Sequence, residues 1–250
     1  MRELNHQIDL AKSNILDLAM NSYPGRGIVV GLNEAGTHTV QVYWIMGRSP
    51  NSRNRVFKSD SSGRLYTDPA DASKMKDPSL IIYNAMREAD PYYVVSNGSQ
   101  TDTVIKNLNH EPFSLDLSLS EWQYEPDKPN YTPRITAVSR LFRDGRSGII
   151  MSVLRKSPFG DRCDRFAYDL NSIPGFGFCI TTYTGDGNPL PSFSGEPLLV
   201  PIVGGIEEVV NDYWEALDCD NRVSLAVKMI EIRTRKSEIR IMNKYEQVSQ

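Results

Sequence analysis

Apolar positions in this chain follow two periods, and the changeovers fall at turn-forming residues. Ile8, Ala11, Ile15, Leu18 and Ala19 share one helical face, which predicts an N-terminal helix over 8–20. After Tyr23-Pro24-Gly25 the pattern turns strand-like: GIVVGL and THTVQVYWIMG flank Asn33-Glu34-Ala35-Gly36 and read as a hairpin. A polar, arginine-rich loop is expected from Arg48 to Arg64. SLIIYNAMRE and PYYVVSNG then read as a second strand pair across Ala89-Asp90-Pro91. Helices are expected from about Gln100 to Asn109 and from Ser114 to about Gln123, and a proline-rich loop (YEPDKPNYTPR) leads from the second of them to a third hairpin. In that hairpin RITAVSRLF and SGIIMSVLRK pair across Arg143-Asp144-Gly145-Arg146, where glycine tolerates positive φ. CDRFAYDL and FGFCITTYTG add strands, Gly204-Gly205 opens a helix with Ile206, Val209, Val210, Tyr213 and Leu217 on one face, and RVSLAVKMIEI with EIRIMNKY closes a last hairpin.

About ten strands, mostly in hairpins with three or four helices between them, make the fold α+β and not a doubly wound sheet. Strands apolar on both sides, such as Val40 to Met46 and Ile149 to Leu154, predict two stacked sheets with helices outside, within one domain spanning 1–250.

Composition narrows the chemistry. At 250 residues, 40% hydrophobic and 24% charged, the chain has material for a full core, and a net charge of −3 argues against nucleic acid as partner. No apolar run approaches the roughly 20 residues that cross a bilayer, and MRELNHQIDLAKSN lacks a signal-peptide core, so no membrane partner and a cytoplasmic location are expected. Cys163, Cys179 and Cys219 read as reduced thiols, each a small buried residue. His6, His38 and His110 form no metal-binding spacing, so neither a protein-bound metal nor a serine–histidine triad is expected. The chemistry falls to Arg, Tyr, Glu and Asn.

Polar motifs sit where strands end: Gly25-Arg26, the run Arg48 to Arg55, Tyr83-Asn84, Ser96 to Thr103, and Tyr131-Thr132-Pro133-Arg134, with weaker ones at Thr181-Thr182-Tyr183 and Ser194-Gly195-Glu196. Guanidinium groups beside Ser and Asn suit forked hydrogen bonds to phosphate or carboxylate. In YYVVSNGSQTDT a strand runs into a capped helix start, which gathers backbone N–H groups and short polar side chains for an oxygen-rich ligand. No GxxxxGK[ST] occurs, and Gly175-Phe176-Gly177 reads only as a flexible connection.

Taken in order, GR, RS…NR, YN, VVSNGSQTDT, TPRI and TTY resemble the archaeal-type IMP cyclohydrolase family over roughly residues 22–200, with 1–21 a helical extension and the closing hairpin (220–250) outside the clear match. The resemblance implies a four-layer αββα sandwich like that of N-terminal-nucleophile hydrolases, without their nucleophile mechanism, since the first strand starts behind more than 20 residues. It implies closure of 5-formamidoimidazole-4-carboxamide ribotide (FAICAR) to IMP with loss of water, the last step of purine synthesis, with no cofactor and no metal. Arg55, Tyr83 and Glu125 are the implied catalytic residues. Arg26, Arg48 and Arg134 are candidates for phosphate and base, and Ser49, Asn54, Asn84, Asn97, Gly98, Thr101, Asp102, Thr132 and Tyr183 for other substrate contacts. RSPNSRNR is two residues longer than the family loop and lacks its Phe, so Arg53 competes with Arg55; Asp127 and Glu121 compete with Glu125. A purine nucleotide (FAICAR or IMP) is the implied small-molecule partner, and the family makes a homo-oligomer plausible. Two other readings stand beside this one: a nucleotide-binding protein without turnover, and an amidohydrolase of the same fold.

Overall fold

A computed structural model describes residues 2–75, 78–110 and 112–246. Its elements, in chain order, are α1 (Arg2–Met20), β1 (Gly27–Leu32), β2 (His38–Met46), α2 (Pro50–Arg53), β3 (Val56–Ser59), β4 (Leu65–Asp68), β5 (Asn84–Ala89), β6 (Tyr92–Ser96), α3 (Gln100–Asn107) and α4 (Leu115–Ser118). The second half comprises β7 (Arg134–Leu141), β8 (Ser147–Lys156), β9 (Cys163–Asn171), β10 (Phe176–Thr181), β11 (Leu198–Pro201), α5 (Ile206–Glu215), β12 (Arg222–Glu231) and β13 (Ser237–Asn243).

The strands form two antiparallel sheets, one ordered β11-β10-β1-β2-β12-β13 and the other β3-β4-β5-β6-β7-β8-β9. Strand alternation sets the layers. On β2, Tyr43 and Ile45 point between the sheets with Ile28 and Val30 of β1, and meet Phe57, Ala85, Val95, Ile135 and Met151 of the second sheet. The opposite face of the same strands, Val29, Val42, Trp44 and Met46, packs on Leu18 of α1 and on Ile206, Val209, Val210 and Tyr213 of α5. Helices α3 and α4 cover the second sheet through Val104, Leu108, Leu115 and Leu119 against Tyr92, Val94 and Val138. This is the expected α+β, four-layer αββα sandwich. Among the described residues no helix is long and apolar enough to cross a membrane.

Local expectations are corrected at several points. The loop from Arg48 to Arg64 contains α2, nucleated by a Ser49/Ser52 capping box with Pro50 at its first turn, and β3, which pairs with β4. The strand expected from Ser79 starts only at Asn84, because the Pro78 carbonyl collects the amides of Ile81 and Ile82 in a turn. Helix α4 stops at Ser118, and Arg165 takes the carbonyls of Leu119, Ser120 and Trp122 that a longer helix would use. Helix α3 starts without a side-chain cap. Phe176 and Gly177 lie in β10, Gly177 opposite Gly31, so this stretch is no loose connection. Cys179 is buried, whereas Cys163 is half-buried and Cys219 exposed.

Two details fix the interior. A Cβ on Gly27 would come 1.9 Å from the Trp44 ring, so only glycine lets that ring cross the strand. Lys228 of β12 is fully buried between the sheets and bonds the Gly63 carbonyl and Glu88 of β5, both at 2.7 Å.

Burial also sets an alkaline limit on stability. It pushes the Cys179 thiol up to about 12 and raises Tyr183, while Tyr43 and Tyr213 lie well above the ordinary phenol value. The folded chain therefore holds protons that the unfolded chain releases once pH passes about 9 for thiol and about 10 for phenol, and stability falls as pH rises from there toward the folded-state values. Lys228, whose pKa burial lowers, pulls in the opposite sense. The urea midpoint should drop between about pH 8 and about pH 11; a flat midpoint would mean that these groups are already hydrated in the fold.

Candidate active site

At the end of the sandwich where β1 and β7 begin, a cavity of about 330 Å³ opens between the sheets, a size at the lower end of small-molecule sites. It is lined by Tyr23, Gly25 and Arg26 ahead of β1, Arg48, Ser49, Asn51 and Ser52 after β2, Arg55, the loop residues Glu125, Asp127, Asn130 and Thr132, and Thr182 and Tyr183 after β10. Leu80, Ile81, Met46 and Leu190 supply its apolar surface.

The loops are sewn together by backbone contacts. The Arg26 amide donates to Thr182 Oγ1 and the Thr182 amide to the Arg26 carbonyl. Gly25, with φ of 73°, is in the left-handed region, and a Cβ there would strike Thr182 Oγ1 and the Tyr183 ring. The motifs Gly25-Arg26 and Thr181-Thr182-Tyr183, far apart in the chain, thus form one wall.

The electrostatic centre is Glu125, 3% exposed. Arg26 Nη2 donates to its Oε2 at 2.7 Å, and Arg134 Nη1 lies 3.7 Å from its Oε1. Burial works against the Arg26 charge, but the Glu125 carboxylate together with Tyr83 and Tyr43 outweighs it and holds Arg26 well above its ordinary value. For Arg134 burial prevails and lowers the value, opposed by Glu125 and reinforced by Arg26. Asp127 accepts from the Thr132 amide and hydroxyl, and Thr132 Oγ1 lies 2.5 Å from the Tyr183 hydroxyl. Burial raises Tyr23 as well, against the pull of Arg55, Arg26 and Arg48, so four charged groups including Asp186 converge on this phenol.

The arginines are not equivalent. Arg48, at the rim, stacks over the Tyr23 ring at 4.8 Å and pairs with Asp186. Arg53 is turned away, bonding the Gly47 carbonyl and Asn221. Arg55 is anchored through Nε to the Ser52 carbonyl at 2.9 Å, and among the described residues nothing engages its two terminal nitrogens. Of the competing loop residues, Arg55 and not Arg53 lines the cavity; Glu125 and Asp127 line it, and Glu121 is exposed.

Of the residues predicted from sequence, the structure gathers Arg26, Arg48, Ser49, Arg55, Glu125, Thr132 and Tyr183 into the lining. Tyr83 and Arg134 stand immediately behind it, coupled electrostatically to Arg26. The Ser96–Thr103 run lies outside the lining and serves as a seat for the arginines. The Asn97 carbonyl accepts from Arg26 Nη1, Gln100 Oε1 accepts from Arg134, and Gly98 leaves the room that the Arg134 guanidinium occupies. Asn97 and Thr101 spend their side chains on this scaffold. Outside the lining, Asn84 donates to the Asp102 carboxylate, which also accepts from Arg87, and Asn54 ties down Asp71. Ser194, Gly195 and Glu196 also lie outside the lining. Sequence reasoning missed Tyr23, Thr182, Asn130 and the cavity role of Asn51 and Ser52. The aromatic before Pro24-Gly25 and the central Thr of TTY were the available signals.

A four-layer αββα sandwich with an arginine-rich, carboxylate-centred cavity at one end defines the class of protein. A model of the family described as "IMP cyclohydrolase-like protein" matches residues 23–235. The chain belongs to that family. Curated relatives named IMP cyclohydrolase include those of Methanopyrus kandleri, 30% identical over 47% of this chain and 58% of the relative, and Methanothrix thermoacetophila, 32% identical over 51% and 61%. That of Natronomonas pharaonis is 35% identical over 46% and 58%. The aligned part thus spans about three-fifths of these relatives' lengths.

Proposed function

We propose that this protein closes FAICAR to IMP with release of water. The observation that carries the reading is a guanidinium, Arg55, whose terminal nitrogens have no partner among the described residues, in the same cavity lining as a buried carboxylate, Glu125. Ring closure joins the carboxamide nitrogen to the formyl carbon. One proton leaves that nitrogen, and the formyl oxygen becomes a hydroxyl. The hydroxyl then departs as water while the formamido nitrogen gives up its proton and the ring C=N bond forms.

Each demand has a candidate. Arg55 stabilises charge on the formyl oxygen, Glu125 accepts the carboxamide proton and passes it to that oxygen, and Tyr83 delivers a proton to the departing hydroxyl and takes up the one the formamido nitrogen releases. Both reacting groups belong to one substrate, so holding them in contact is itself a large part of the rate gain. Arg48 at the rim, with Ser49 and Ser52 beside it, is the proposed phosphate end, because its exposed pair with Asp186 is of a kind worth little and easily exchanged. Arg26 and Arg134 act through Glu125.

The test is to incubate purified protein with FAICAR and follow IMP. Accumulation well above the uncatalysed rate supports the reading. Tight IMP binding without turnover would instead identify a nucleotide-binding protein.

A further inference from the structure

We infer that Tyr43 is a positioning residue for this reaction, holding the Tyr83 phenol and donating a hydrogen bond to it when Tyr83 gives up its proton. The inference rests on the proposed role of Tyr83 and adds a residue that no sequence motif marks.

The Tyr43 and Tyr83 hydroxyls lie 2.7 Å apart. Tyr43 is fully buried, and among the described residues the Tyr83 hydroxyl is its sole hydrogen-bond partner. Its ring is fixed by a tilted contact with Phe57, centroids 5.4 Å apart, and it lies beside the apolar Ile28, Ile45 and Ala226 in the core between the sheets. Phenylalanine would fill this space without burying a polar group, so the hydroxyl serves its one partner.

Chemistry sets the direction of that hydrogen bond. Burial, reinforced by Tyr83 and opposed by Arg26 and Arg55, holds Tyr43 well above the ordinary phenol value, so Tyr43 keeps its proton. When the Tyr83 O–H bond breaks and its proton leaves with the departing hydroxyl, the electron pair stays on Tyr83 Oη. Tyr43 then donates to that oxygen, with the Arg26 guanidinium acting on both phenols. A donor already in place needs no reorganisation at the moment of reaction. Tyr83 regains a proton from the formamido nitrogen, which closes the cycle without a further reactant.

The experiment measures kcat and KM against pH for the full chain and for Tyr43→Phe, Tyr83→Phe and the double variant. Tyr43→Phe should lower kcat about 10- to 100-fold, the scale of a hydrogen bond to a charged group. KM should stay within about twofold, as expected for an interaction made only in the transition state. The basic limb of the kcat profile should move up by roughly one pH unit. The double variant should be no slower than Tyr83→Phe alone. Incorporating 3-fluorotyrosine at position 43, a stronger donor, should move the limb the other way and keeps the test independent of how Tyr43→Phe folds. An unmoved limb with only a lower melting temperature would make Tyr43 a packing residue and overturn the inference. If Tyr83→Phe is slow while Tyr43→Phe is normal, this inference alone falls. If Tyr83→Phe turns over normally, the role of Tyr83 falls and takes the inference with it.

Discussion

Glu125→Ala should cost the fold about 3–5 kcal/mol, the range for stripping one partner from a buried ion pair, and should abolish turnover. Glu125 is the carboxylate against which Arg26 is held, and it also faces Arg134. Both guanidiniums are less than a tenth exposed. Removing it leaves two buried cations whose charges already oppose each other through Arg134. Neither arginine can shed its proton at ordinary pH, so the penalty cannot be relieved by titration. Glu125→Gln keeps a carbonyl for Arg26 and should lose less stability while remaining inactive. Urea unfolding of the three proteins decides the matter. A loss under about 1 kcal/mol for the alanine variant, the scale of an exposed pair, would mean that water reaches the guanidiniums.

Arg55→Ala should show the opposite division of effects. Among the described residues the one hydrogen bond lost is that from Nε to the Ser52 carbonyl, so the melting temperature should fall far less than for Glu125→Ala. The terminal nitrogens have no partner among the described residues, and their loss should lower kcat by about 10²–10³-fold, as when one oxyanion donor is removed. Arg55→Lys retains charge but not the planar fork and should recover only part of the rate. Steady-state kinetics on folded variants gives the answer. Wild-type kcat in Arg55→Ala would remove the residue from the chemistry and leave it a buried lining cation.

The hairpins were legible because strand alternation is local: β1–β2, β7–β8 and β12–β13 all lie where turn residues interrupt apolar runs. Leu80-Ile81-Ile82 misled for the same reason, since an apolar run gives no notice that the Pro78 carbonyl will gather its amides. Strands β3 and β4 escaped notice because VFKS and LYTD are too short and too polar to show a period. The motif Ser96 to Thr103 was visible, but its geometry was not. Its polar side chains close on each other and on the Pro133 and Ile135 backbone, and it reaches the cavity only through the arginines that it supports. Tyr43 left no trace at all, because its partner is 40 residues away, just ahead of β5 of the opposite sheet, and nothing local distinguishes it from a core aromatic.

Two charge pairs bridge the sheets. Arg26, entering β1, meets Glu125, on the loop entering β7, and Lys228 of β12 meets Glu88 of β5 farther along the interior. Sliding one sheet over the other would pull both pairs apart and strand the buried charges of Arg26, Glu125 and Lys228, whereas the apolar side chains between them could re-pack at modest cost. The sandwich is therefore pinned against shear at two points.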